Sequence, residues 1–199
     1  MALRTDATRD LHLFRGQVAP RWREILLSWV TFGAIGAGVA SALVAPLLPV
    51  ADLKISAIVS AGFTFASISM GACISGLVLS LALPGAERLR NWARLKGTTP
   101  GKSALSDLIF TLAWAGLAQV ALVITCVLAT LLGGDLQVSP SNAWLSHRIG
   151  LAAGLLVFFY AVFELVVVIQ TIMQIGVIVI IEERSKPSGS SRKSRACRR

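Results

Sequence analysis

Glu164 is the residue in this chain most able to do chemistry. It sits in the stretch FFYAVFELVVVIQTIMQIG (158–176), within an apolar run over 149–181 that holds no other ionisable acid or base apart from Tyr160. A carboxyl group in such a place can hold a proton, hold a cation, or hydrogen-bond to a neighbouring helix. Its companions are patterned. At about 100° per residue, Tyr160, Glu164, Thr171 and Gln174 fall within a wedge of about 80°, with Gln170 at its border. The rest of the helix surface is Val, Ile, Leu, Phe and Met. One face is built for lipid and the other for protein or water.

A fixed charge at the centre of a bilayer costs about 2.5–3.5 kcal/mol even on the lenient insertion scale. No Lys or Arg lies within any of the apolar runs to offset it. Glu164 is therefore expected either to stay protonated and join helices by hydrogen bonds, within or between subunits, or to face water or a bound cation. Gln119 and Ser67 come from two other apolar runs at similar depth. A polar cluster of Glu164, Gln119 and the hydroxyls around Ser67 is compatible with that depth.

Other chemistries find little support. Cys73, Cys126 and Cys197 form no C-x-x-C pair, and His12 and His147 are single, so no metal site, disulfide framework or cofactor is expected. The stretch GTTPGKS (97–103) resembles a phosphate loop only loosely. Three residues, not four, separate Gly97 from Gly101, and no strand precedes it. It reads as a turn, with Ser103 or Ser106 capping the next helix. No paired carboxylates, His–Asp pair, or nucleophile with a nearby base occurs in the apolar runs, so an enzyme is not expected.

The elements that must carry Glu164 follow from composition. The chain has 199 residues, 55% hydrophobic and only 15% charged, against about 25% charged in a soluble domain. Four runs, 25–51, 55–86, 108–134 and 149–181, are almost free of charge. Each exceeds the roughly 20 residues needed to cross the hydrocarbon layer. The expectation is an all-α integral membrane protein: a four-helix transmembrane bundle of two antiparallel helical hairpins. Its membrane domain covers 25–181, with spans at about 25–48, 55–83, 105–133 and 149–181. A segment over 1–24, with a short interfacial helix near Trp22, precedes it, and a disordered basic tail over 182–199 follows. The fourth run, at about 50 Å, should tilt strongly or project from the membrane.

Basic residues set the expected orientation. Of 19 Lys and Arg, all but Lys54 and Arg148 fall in the N-terminal segment, the second loop or the tail. The positive-inside bias places both termini and the second loop in the cytoplasm, at the inner or plasma membrane. Ala40-Ser41-Ala42 fits a signal-peptidase pattern. The long basic segment before it favours an uncleaved first helix instead.

Helix faces suggest partners. Gly33 and Ala37 lie on a small-residue face of the first run. Ser60, Thr64, Ser67, Gly71 and Ser75 form a stripe on the second. Such stripes are expected to be packing seams, and otherwise a hydroxyl-lined path. In the second loop, Arg88, Arg90, Trp92, Arg94 and Lys96 read as a basic helix lying on anionic lipid. Arg192, Lys193 and Arg195 in the tail would meet anionic lipid or an acidic protein. Nucleic acid is a poorer match, because topology accounts for the charge. Two functions are expected from these features. The first is a homo-oligomeric bundle permeable to protons or ions through Glu164. The second is a membrane-anchored interaction protein, such as an immunity protein, defence effector or assembly factor, acting through its basic loop and tail.

Overall fold

The computed structural model describes residues 18–44, 54–82, 85–97, 102–133 and 145–185. They form six helices: α1 (Ala19–Leu26), α2 (Trp29–Val44), α3 (Ile55–Ala82), α4 (Gly85–Arg94), α5 (Ala104–Gly133) and α6 (Leu145–Ser185). Among the described residues there is no strand, only an isolated bridge between Lys96 and Ser103. Helices α3, α5 and α6 are each long and apolar enough to cross a membrane. This is an all-helical, membrane-embedded protein. Helix α6, at 41 residues, extends about 61 Å at 1.5 Å per residue.

Within the expected first span over 25–48, the helix is broken at Leu27–Ser28, and α2 begins at Trp29 and is described to Val44. Two hydroxyls stabilise the break. Ser28 Oγ accepts from the Thr31 backbone N–H at 3.3 Å, which caps α2. Ser28 Oγ and Thr31 Oγ1 both donate to the Ile25 carbonyl, at 2.9 and 2.6 Å. The Ile25 carbonyl at the end of α1 is thus satisfied by these side chains together with the Ser28 backbone N–H at 3.4 Å.

The helices of the expected first hairpin do not pack on each other. Helix α2 packs on α6, α3 packs on α5, and α5 packs on α6, while α2 and α3 share no comparable contact. Small residues explain the first pairing. A Cβ added at Gly38 would sit 3.0 Å from the Cα and N of Leu156, so α2 approaches α6 at backbone distance. Gly33 lies under the Phe163 ring, and Trp29 meets that ring edge-on at 5.8 Å.

Helix α3 buries Gly62, Ala66, Ser69, Cys73, Gly76 and Ser80. Their alternating spacing of four and three is a coiled-coil seam made of small side chains. It faces Leu112, Ala115, Leu122 and Cys126 of α5 and Ala161 and Val168 of α6, in two core clusters. Ser103 Oγ accepts from the Ser106 N–H at 3.3 Å and caps α5, as its position suggests. Gly85, with φ +72°, makes the turn into α4, a conformation that favours glycine.

The close α2–α6 contact predicts opposite outcomes for two neighbouring glycines. Gly38→Ala should destabilise the detergent-solubilised protein by about 1–3 kcal/mol, because backbone must move. Gly36→Ala, with nothing within 4 Å of its added methyl, should be neutral or stabilise by up to about 1 kcal/mol. Thermal unfolding followed by circular dichroism distinguishes the two.

Candidate functional site

Glu164 lies on the buried seam of α6, in register with Ala161 and Val168. Its residue surface is only 7% exposed. One turn earlier on the same face is Tyr160, whose hydroxyl accepts from the Trp114 indole N–H of α5 at 2.8 Å. Having accepted from Trp114, Tyr160 still has its own O–H to donate, one turn from the Glu164 carboxyl. The acid shares a cavity wall with Trp114, one member of an aromatic pair that spans two helices.

A cavity of about 240 Å³ opens beside it. Helices α1, α2, α5 and α6 contribute to its walls, which carry Arg21, Glu24, Ser28, Trp29, Asp107, Phe110, Thr111, Trp114 and Glu164. Glu164 and the ion pair Arg21–Asp107 line the same cavity. About 10 Å of helix rise separates Asp107 from Trp114 along α5. The cavity thus runs from the start of α5 towards the middle of α6.

Arg21 is 3% exposed despite its charge. Its guanidinium pairs with Asp107 and lies 4.3 Å from the centre of the Phe110 ring. Phe110 in turn stacks on Trp114 at 5.9 Å. A planar guanidinium suits both contacts: one terminal N–H group meets a carboxylate oxygen and the face meets a ring. The turn before α5 makes room for the acid. A Cβ at Gly97 would collide with the Asp107 carboxylate, and that turn is closed by Gly97 N–H to Lys102 O at 2.8 Å and Ala104 N–H to Leu95 O at 3.0 Å. The break at Ser28 then lets α1 depart from the line of α2 and bring Arg21 to Asp107.

Gln119 and Ser67, expected to cluster with Glu164, each bond to a backbone carbonyl. Gln119 is fully buried and donates through Nε2 to the Ala161 carbonyl at 2.9 Å, and its Oε1 meets no protein donor. It supports α6 one turn from Glu164. Ser67 is exposed and donates to its own helix at Phe63 O, 2.9 Å. Thr171 donates to Val167 O at 2.8 Å, and Gln174 is exposed.

The seam residues divide in the same way. Gly33 packs against α6 and Ala37 is half-buried. Ser60, Thr64, Gly71 and Ser75 face outward, opposite the seam that α3 buries. In α4, Arg90 and Arg94 are exposed, as is Lys96 beyond its end, while Trp92 is half-buried. Arg88 lies in the same helix. Arg192, Lys193 and Arg195 lie outside the described residues, as do His12 and Cys197. Cys73 and Cys126 are buried free thiols. Among the described residues no three His, Cys, Asp or Glu side chains converge on a metal position.

The residues that composition did not single out are Arg21, Asp107, Phe110 and Trp114. In the sequence Arg21 is one of the basic residues of the N-terminal segment, and only its proximity to Asp107 in space gives it another role.

Compared with models of protein families, with curated proteins and with solved structures, the chain matches none.

Arg21 and Asp107 should behave as a unit. Breaking a buried ion pair costs about 3–5 kcal/mol, and the 19% exposure of Asp107 places Arg21→Met or Asp107→Asn near the lower end. The double variant should cost less than the sum of the two, with a coupling of at least about 1 kcal/mol in a thermal-denaturation cycle.

Proposed function

We propose that this chain is a membrane bundle, without catalytic chemistry, that lets protons or small cations cross by way of Glu164. The observation that carries the reading is a buried acid at the middle of a membrane-length helix, lining a cavity that continues to a second charged site. An intramembrane acid is expensive and is a functional candidate by default. The hydrogen-bonded pair Trp114–Tyr160 lies beside the acid and brings no counter-charge. The bias of basic residues supports a cytoplasmic location for both termini, which puts the Arg21–Asp107 end of the cavity at the cytoplasmic side. In this reading α2 completes a four-helix bundle with the three long helices. The outward small-residue face of α3 supports association between copies.

Reconstituted liposomes loaded with a pH-sensitive dye test this directly. Purified protein should dissipate an imposed proton or cation gradient faster than empty vesicles. Glu164→Gln should slow that flux at least tenfold, and Glu164→Asp should retain most of it. Absence of any protein-dependent flux rules the reading out.

A second reading rests on α4. Arg90, Arg94 and Lys96 are exposed beside the half-buried Leu89 and Trp92, the arrangement of a helix lying on anionic headgroups, at about 1 kcal/mol per basic residue. Native mass spectrometry should then find anionic phospholipid retained by the protein. The triple change of Arg90, Arg94 and Lys96 to Gln should release it.

A further inference from the structure

The cavity beside Glu164 is larger than a proton or a bare inorganic cation needs. Its volume of about 240 Å³ has room for roughly eight water-sized groups at ~30 Å³ each. A dehydrated metal ion would need several ligands within bonding reach, and among the described residues no three His, Cys, Asp or Glu side chains converge. The walls instead combine carboxylates with aromatic surfaces. Trp29 stands on one side, and the stacked rings of Phe110 and Trp114 on another. Glu164 lies at one end and Asp107 at the other.

One cation is already held in this manner. The Arg21 guanidinium rests 4.3 Å from the Phe110 ring centre while its Nη2 meets Asp107 Oδ1. Ring faces attract cations, most strongly where water is displaced. A delocalised guanidinium is also more weakly hydrated than an ammonium, so it loses less on entering a half-dry site. Trp114 and Glu164 repeat the pairing of aromatic ring and carboxylate deeper in the cavity.

We propose that this cavity binds a small delocalised organic cation of the guanidinium or amidinium class, seated on the aromatic wall with Glu164 as its counter-carboxylate. The assignment rests on Glu164 being the permeation site and names what that site would carry.

Isothermal titration of the full chain in mild detergent, at fixed ionic strength, provides the test. Methylguanidinium and benzamidinium are the probes, with sodium and tetramethylammonium as comparisons. Saturable binding of a probe is expected, at least tenfold tighter than either comparison ion. Glu164→Gln should weaken it at least tenfold, and Glu164→Asp should restore most of the loss. Trp29→Leu removes a partly exposed aromatic wall and should weaken binding threefold or more, so the test stands even if Glu164→Gln does not fold. No saturable probe binding, or equal affinity for sodium, overturns the proposal, and so does an unchanged affinity in Trp29→Leu. Proton or sodium flux without probe binding leaves permeation standing and sinks the organic-cation site. Probe binding without any flux sinks permeation and leaves the site.

Discussion

A carboxyl group halfway along an apolar helix has to be enclosed by protein, and the placement of the surrounding helices follows from that need. Hydrocarbon offers no hydrogen bonds, so polar groups at that depth must find partners inside the bundle. Glu164 is covered from α5 by Trp114 and beside it by Tyr160. Helix α2 is drawn against the same region of α6 through Gly33 and Gly38. Helix α3 reaches both α5 and α6 through a seam of side chains no larger than Cys. Bulky residues on that seam would hold α3 away from α5 and α6.

The same constraint accounts for the second charged site. The cost of burying Arg21 is offset by contacts that include a carboxylate and a ring face. Bringing it there requires α1 to leave the axis of α2, and the break succeeds because Ser28 and Thr31 take over hydrogen bonds that a continuous helix would have made. Local hydroxyl chemistry at the helix junction and long-range charge pairing with Asp107 are therefore linked.

Much of this was legible in the residue pattern. The long apolar runs became α3, α5 and α6, and the polar wedge of the last run placed Tyr160 and Glu164 on an inward face. The break at Leu27–Ser28 was not legible, because neither Pro nor Gly marks it and a Ser–Thr pair spaced by three is equally at home inside a helix. The pairing of helices was harder still. Helix α3 carries two small-residue stripes about half a turn apart, and periodicity alone gives no reason to bury Gly62, Ala66 and Cys73 rather than Ser60, Thr64 and Gly71. The choice depends on what α5 and α6 present. Arg21 and Asp107, 86 residues apart in the chain, leave no trace of their pairing in a single sequence.

The outward stripe of α3 is less polar than its composition suggests. Thr64 Oγ1 donates to Ser60 O and Ser67 Oγ to Phe63 O, each at 2.9 Å. These two donors are spent on carbonyls of the helix that bears them. At these two positions the hydroxyl oxygen that reaches the surroundings is already engaged. Scales that charge every Ser and Thr the full cost of dehydration therefore overstate the penalty for immersing this helix in lipid.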